Sequence, residues 1–531
     1  MRKEEKSRGG SCLPSPPPGS ATGYRELSES ILEYAGGLPL ALKILGSFLY
    51  KRDRGGWESA VAKLEKAPID QKLFESLRIS YDGLDEMSQQ VFLDVVCFLK
   101  GSDKERVIEI LDSIFSFNTS VMIDVLIEKS LLTIFDNCLD MHDLIQEMGR
   151  EIVRLESKKE PGQRSRLWLR DDIFCVLTEN AGTKAIRSIT LCLPKLAELT
   201  WNPNAFFKMS KLKFLKMQNL VLCQGPDYLP DSIRILEWTS YPSKSLPPNF
   251  QPVELIELIL HHSNINQLWD GRKYLEKLTL IDLSYSEKLI MTPDFTGIQN
   301  LERLVLEGCT NLVDIHPSIT SLRRLKILNL KNCQSVKSLP SELEMDSLEI
   351  IDLSCCSNVN LFPQFVARMK KLSELSFSGI GMQNFEVSCH SVSPHPLSLV
   401  LGSLKHFCSL KRLNLNDCKL GEGAIPDDIG CLSSLEDLDL SVNNFVSLPA
   451  TINGLSKLKC LNLADCKRLE QLPDLPLFSG TCYVAADNCI SLKKLPDPPA
   501  MCRLWKLSLN FINCCSTAIE DNGQDGVSSY K

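Results

Sequence analysis

The chain has 531 residues, beyond the ~250–300 at which a single hydrophobic core stops growing, so it should divide into several units. With 44% hydrophobic and 24% charged residues it reads as a folded protein, and a net charge of -7 argues against a nucleic-acid binder, which carries a basic stripe. No apolar run reaches the ~18 residues of a membrane helix, and none of the 21 cysteines forms a Cys-x-x-Cys pair, so free, reduced thiols are expected rather than a zinc ribbon or a thioredoxin-type site.

In chain order, residues 1–22 read as disordered, since charge, serine, glycine and Pro14, Pro16, Pro17 and Pro18 leave little to bury. Their charged start runs into these prolines and not into an apolar core, so a secretory leader is not expected. Leu27, Ile31, Leu32 and Ala35 then recur at helical spacing, and Gly36-Gly37 stops the pattern. Pro39 suits the first turn of a helix that continues from Leu40 to Leu49. Trp57, Val61 and Leu64 mark another helix. Ser88 is a candidate cap for a helix carrying Val91, Phe92, Val95, Val96 and Leu99, which Gly101 ends. Val121 to Ile127 reads as helix. Leu131 to Phe135 reads as a strand, Asp136-Asn137 as a turn and Cys138 to Met141 as its returning partner. A helix with Leu144, Ile145, Met148 and Ile152 follows. Helices followed by a small hairpin suggest a winged helix-turn-helix, after which Pro161-Gly162 opens a linker.

Self-similarity dominates the rest. The pattern Leu-x-x-Leu-x-Leu-x-x-(Cys/Asn)-x-x-Leu fits Leu301, Leu304, Leu306, Cys309 and Leu312, and again Leu325, Leu328, Leu330, Cys333 and Val336. Units starting at Leu278, Leu301, Leu325, Leu348 and Leu372 step by 23, 24, 23 and 24 residues. The step to Leu410 is 38 and holds an inserted loop around His390 to Pro396, after which Leu435 and Leu458 return to period. Weaker units lie at Leu212-Leu215, Ile233-Leu236 and Leu255-Leu258, and a degenerate one at Val484, Ala486, Cys489 and Leu492. Each unit contributes one short strand whose leucines face a core that only stacked neighbours can close. Cys309, Cys333, Cys356, Cys418 and Cys466, with Asn443 in the same slot, fall where the backbone leaves the strand and are expected to pack rather than hold metal. Leu-Pro steps such as Leu246-Pro247 and Leu448-Pro449 suit an extended convex return.

The residues between the leucines should face a concave partner surface. One row is Asp282, Val305, Asn329, Asp352, Ser376, Asn414, Asp439 and Asn462; the next is Ser284, Glu307, Lys331, Ser354, Ser378, Asn416, Ser441 and Ala464. A solvated sheet face is the competing reading of both rows. No Ser/His/Asp, Cys/His or His-Glu-x-x-His signature is present, so no enzyme is expected, and His261-His262 reads as a solvent-facing pair rather than a ligand.

The first third sharpens the class. Gly37-Leu38-Pro39-Leu40-Ala41-Leu42 resembles the GLPL motif of plant nucleotide-binding leucine-rich-repeat disease resistance proteins. Phe92-Leu93-Asp94-Val95-Val96-Cys97-Phe98 and Lys129-Ser130-Leu131-Leu132-Thr133-Ile134 resemble later segments in the family's order. Met141-His142-Asp143, followed by Leu144 to Val153, is similar to the MHD motif of the subclass with a Toll/interleukin-1-receptor-like domain, and Pro161-Gly162-Gln163-Arg164-Ser165-Arg166-Leu167-Trp168 strengthens that likeness. The resemblance implies an α+β multidomain chain. Residues 23–70 would be the last helices of the nucleotide-binding ARC domain, 71–160 a winged helix, 161–185 a linker, 186–500 an α/β leucine-rich-repeat solenoid and 501–531 a truncated post-repeat segment.

It further implies an intracellular immune switch in the cytoplasm or nucleus. Its repeats would bind a protein partner, a pathogen effector or a guarded host protein, and it would use ADP and ATP. Gly37, Leu38, Pro39, Leu40, His142 and Asp143 are the implied nucleotide residues, with Pro39 against adenine and His142 toward a phosphate. Read from the residues alone, Pro39 starts a helix and His142 caps or packs. The sequence has no Gly-x-x-x-x-Gly-Lys-(Ser/Thr) phosphate loop and no Toll-like domain, so an N-terminally truncated relative with impaired ADP binding is expected. A non-immune protein-interaction scaffold is the alternative.

Overall fold

The computed structural model describes residues 21–35, 41–42, 45–46, 49, 52–66, 71–115, 117–360, 362–365, 369–380, 395–472, 482–493, 507–510, 512 and 514. They fall in two compact units, residues 1–191 with 205–215, and residues 192–204 with 216–531.

In the first unit the helix Ala21–Ala35 buries Tyr24, Ile31 and Ala35, and Tyr24 meets Trp57 of the helix Arg54–Lys66 edge to face at 5.4 Å. It begins two residues inside the segment read as disordered. Of the expected helix 40–49, Ala41, Leu42, Leu45, Gly46 and Leu49 are helical; Gly37 to Leu40 lie outside the described residues. Two helices ahead of residue 161 were not read from the sequence. Gln71–Asp82 buries Phe74, Leu77 and Tyr81, and Lys104–Phe115 buries Val107, Ile110 and Leu111.

The next helix is capped by Asp85 and not by Ser88. One Asp85 oxygen accepts from the Met87 and Ser88 amides at 3.0 Å each, which places Ser88 inside the helix Glu86–Asp94. One turn of π-helix, Val95–Leu99, follows, and Gly101 ends it with φ +81°. The hairpin pairs Thr133–Phe135 with Cys138–Asp140 in antiparallel register, through Asp136 and Asn137, both at positive φ. The helix Asp143–Glu156 closes the winged helix.

The stretch 161–185 is not a linker. It holds a 3-10 turn Pro161–Gln163, a strand Arg166–Leu167 and a helix Arg170–Thr178 that buries Ile173, Val176 and Leu177. Pro-Gly signals a loop, but here glycine serves close packing: a Cβ on Gly162 would lie 2.0 Å from the Ala181 carbonyl oxygen. Arg166 and Leu167 pair in parallel with Ser188 and Ile189, and Phe98 stacks on Phe214 at 4.4 Å.

The second unit is a parallel ladder of short strands. It runs through Ile235–Trp238, Glu257–Ile259, Leu280–Asp282, Arg303–Val305, Ile327–Asn329, Ile350–Asp352, Glu374–Ser376, Arg412–Asn414, Asp437–Asp439, Cys460–Asn462, Cys482–Ala485 and Leu507–Asn510. In each strand from Arg303–Val305 to Cys460–Asn462 the middle residue is buried and its two neighbours less so, because successive side chains alternate between faces. Leu301, Leu304, Leu306 and Leu312 are buried, as are their counterparts Leu325, Leu328, Leu330 and Val336. The last strand corrects the expected post-repeat segment: Leu507–Asn510 pairs with Cys482–Ala485 and continues the ladder.

After each strand up to Cys482–Ala485 the chain turns through one left-handed residue. Ser240, His262, Tyr285, Gly308, Asn332, Cys355, Gly379, Asp417, Val442, Asp465 and Asn488 all have positive φ. Only two of these are glycine, so the fold imposes the conformation on side chains that disfavour it. The cost is offset because each amide there bonds the next turn, for example Gly308 to the Lys331 carbonyl at 2.8 Å and Val442 to that of Ala464 at 2.8 Å. The chain then returns through 3-10 turns such as Pro317–Ser321 and Ala450–Gly454. The long insertion leaves the ladder unbroken, since Ser376 pairs with Asn414.

This register makes a direct prediction. Leu328→Asp buries an unpaired charge at a side chain only 2% exposed, a loss of about 3–5 kcal/mol. Its thermal unfolding should begin well below that of the wild type, and unchanged melting would contradict the register.

Candidate interaction face on the repeats

The ladder aligns the expected partner row. Asp282, Val305, Asn329, Asp352, Ser376, Asn414, Asp439 and Asn462 are successive register partners, and all are half-buried on the outward face of the strands.

Six of the eight also have a local structural task. Oδ1 of Asp282, Asn329, Asp352, Asn414, Asp439 and Asn462 accepts the amide of the residue two further on, at 3.0, 2.9, 2.9, 3.0, 2.9 and 3.2 Å. The side chain thus satisfies an amide at the point where the strand ends and the left-handed turn begins. Recurrence of Asp and Asn follows from this bond alone and does not require a partner. Val305 cannot make it, and Ser376 instead shares a hydroxyl contact with Ser354 at 2.7 Å.

The rows on either side make no strand-end bond of this kind among the described residues. Two residues later come Ser284, Glu307, Lys331 and Asn416, part of the expected second row, with His261 ahead of them. Two residues earlier come Leu280, Arg303, Ile327, Ile350, Glu374, Arg412 and Asp437, a row not read from the sequence. Its signal was available: it is the residue before the second leucine of each unit, and hence on the same strand face.

Acids meet bases across strands along much of this face: Lys216–Glu237 at 3.0 Å, His261–Asp282 at 3.1 Å, Lys331–Glu307 at 3.5 Å and Arg303–Glu257 at 3.9 Å in its first half, and Glu374 with Arg412 in its second. The solvent-facing pairs among them contribute about 0–1 kcal/mol each, so their main effect is to leave the first half near neutral. The Asp282 carboxylate beside it holds the His261 imidazole above its ordinary pKa. His261 is therefore paired, and His262 turns away to stack on Tyr285 at 5.1 Å. Half-buried aliphatics, Ile259, Val305, Ile327 and Ile350, share the same half. In the second half no cation lies within ion-pair distance of Asp437 or Asp439 among the described residues.

Behind the strands the cysteine slot is a donor ladder. The thiols of Cys309, Cys333, Cys356, Cys418, Cys466 and Cys489 each donate to a carbonyl of the preceding turn at 3.1–3.3 Å. Asn443 does the same through Nδ2 to Leu415 at 2.9 Å, while its Oδ1 accepts the Cys418 and Leu420 amides. Cysteine and asparagine share the slot because both donate. Burial pushes Cys309, Cys356, Cys418 and Cys489 up to about 12, so these thiols stay protonated. Among the described residues no group of three or more His, Cys, Asp and Glu could hold a metal ion.

Of the implied nucleotide residues, only His142 and Asp143 lie among the described residues. His142 caps the helix Asp143–Glu156, its Nδ1 accepting the Leu144 amide at 3.1 Å. Asp143 is exposed in the first turn, with Lys100 at 3.0 Å. Both have local structural partners, as the residues alone allowed.

Residues 85–157 match the family described as "Disease resistance protein Roq1-like, winged-helix domain", and 409–432 match "Leucine Rich Repeat". The chain is 32% identical to TMV resistance protein N of Nicotiana glutinosa, covering 85% of this chain and 46% of that protein. It is 37% identical to Disease resistance protein RPP2A of Arabidopsis thaliana, over 86% of this chain and 30% of that protein. It is 41% identical to Disease resistance protein RUN1 of Vitis rotundifolia, over 57% and 25%. The chain thus spans about half the length of TMV resistance protein N and less of the other two. Among solved structures, the leucine-rich repeat domain of APL1B is similar at TM-score 0.35 and 17% identity, over 64% of this chain and 91% of that one. Among the described residues no single helix is long and apolar enough to cross a membrane.

The strand-end bonds predict the effect of removing them. Replacing Asn329, Asp352 and Asn414 together with alanine leaves three amides without their partner and should destabilise the ladder by about 0.5–1.5 kcal/mol per site. Urea unfolding with an unchanged midpoint would return these residues to a purely partner-facing role.

Proposed function

Since this chain belongs to the plant disease resistance proteins of the Toll/interleukin-1-receptor-like, nucleotide-binding, leucine-rich-repeat class, we propose that it is an immune receptor chain. Its repeats recognise a pathogen effector or a guarded host protein. The observation that carries this reading is the division of the strand face into a row fixed by the fold and rows that are not.

The partner docks on the first half of that face. Ile259, Val305, Ile327 and Ile350 offer aliphatic area, and the charges around them are already paired. Covering charges that have an ion-pair partner costs less than covering Asp437 and Asp439, which have no cation beside them, so a partner gains most where apolar area and paired charge coincide.

ADP remains part of the proposal through His142. With Nδ1 accepting the helix amide, the ring proton sits on Nε2, the donor that a phosphate contact requires. That donor alone would hold ADP weakly, since the 531-residue sequence has no phosphate loop to cradle the phosphates. The chain acts in the cytoplasm or the nucleus, where its thiols stay reduced.

Two outcomes follow. In the plant that carries the protein, Ile327→Asp with Ile350→Asp should abolish its defence response at unchanged accumulation, while Asp437→Asn with Asp439→Asn should keep it. A response lost in the second pair and kept in the first would move the site. Separately, the 531-residue chain purified by itself should release no stoichiometric ADP on denaturation, because its sequence holds no phosphate loop; one nucleotide per chain, measured by chromatography, would contradict this.

A further inference from the structure

Two motifs that stand far apart in the sequence meet inside the first unit. Asp94, of Phe92-Leu93-Asp94, and Arg166, of Arg164-Ser165-Arg166-Leu167-Trp168, are 1% and 0% exposed and lie 2.6 Å apart. Arg166 directs Nε and Nη2 at the same Asp94 oxygen, and Nη2 also reaches the Gln90 carbonyl at 3.2 Å. The other Asp94 oxygen accepts no hydrogen bond among the described residues, and the Arg187 guanidinium stands 4.0 Å from it.

The segment that carries Arg166 is bonded within itself and to the strand beside it, where the Arg187 carbonyl accepts the Lys213 and Phe214 amides at 2.7 and 3.2 Å. The Thr183 hydroxyl donates to the Gly162 carbonyl at 2.6 Å, and Arg164 bonds Asp172 at 2.6 Å. The Arg187 and Ser188 amides both donate to the Ser165 carbonyl. Its named ties to the winged helix are polar or cationic. Besides Asp94–Arg166, Arg187 donates to Gln90 at 2.7 Å, and Ser165 donates to Glu156. Arg164 donates to the Ser157 and Lys158 carbonyls, and Arg150 and Arg154 lie over the Trp168 ring at 5.7 and 5.4 Å.

We propose that residues 161–191 form a clasp that opens as one unit, with the buried Asp94–Arg166 pair as its latch. Opening frees the strand pair Arg166–Leu167 and Ser188–Ile189 from the helices of the winged helix without unfolding those helices. A buried ion pair adds little net stability over apolar packing but fixes one geometry, and losing one partner strands the other charge. The unsatisfied Asp94 oxygen lowers the cost of release, because water can reach it only in the open state. Cooperative opening follows from the segment's internal bonds, which travel with it. The inference does not rest on the partner-binding reading of the repeats.

Hydrogen–deuterium exchange of the full chain, read by mass spectrometry, tests this. In wild type at urea concentrations below the unfolding transition, amides of 162–189 should exchange together and ahead of the helices Glu86–Asp94 and Asp143–Glu156. Asp94→Asn should speed exchange of 162–189 by roughly a hundredfold or more while leaving the helix Lys104–Phe115 unchanged. The proposal is overturned if Asp94→Asn leaves 162–189 unchanged, or loosens all helices in step. It is equally overturned if the wild-type segment exchanges only with the helices.

Discussion

A repeat of this protein cannot bury its own leucines; each turn closes its core only against the turns on either side. Most of the second unit depends on that constraint. It fixes a parallel register in which Leu304, Leu328 and Ile351 stack in line, and it forces a left-handed residue after each strand even where valine or tyrosine must adopt it. It also places one donor per turn, usually a cysteine thiol, against a carbonyl of the turn before.

The same constraint changes how the polar face is understood. A row of Asp and Asn in a solenoid invites reading as a binding surface, yet here six members serve the strand ends. What they leave for recognition is the pair of flanking rows, whose first half combines aliphatic area with neutralised charge.

Much of this was legible in the sequence because spacing is a geometric statement. Steps of 23 and 24 residues between equivalent leucines set strand, core and outward row, and the row from Asp282 to Asn462 aligns as that spacing required. Other features depend on bonds or contacts that spacing does not encode. The amide bonds of Asn329 and Asp352 appear only once the turn geometry is known, as does the His261–Asp282 pair. Pro161-Gly162 carries a loop signal, but Gly162 sits against Ala181, and the nine-residue helix Arg170–Thr178 is too short to stand out by period. Asp94 and Arg166 meet across 72 positions, a distance at which a charge pattern in one dimension is silent. The helices Gln71–Asp82 and Lys104–Phe115 were passed over although their apolar residues recur at helical spacing, because charged residues interleave them.

The central claim is the parallel stacking of neighbouring turns in one register, and paired cysteines test it most directly. With Ile327→Cys and Ile350→Cys in one chain, oxidation should form an intramolecular disulfide between those two positions, identified by peptide mapping. Register partners on adjacent strands lie about 4.8 Å apart, inside the Cα range that a disulfide spans. Pairing Ile327→Cys with Arg412→Cys instead should give no such bond. Failure of the first pair to close, or closure of the second, would contradict the stacked ladder and every assignment built on it.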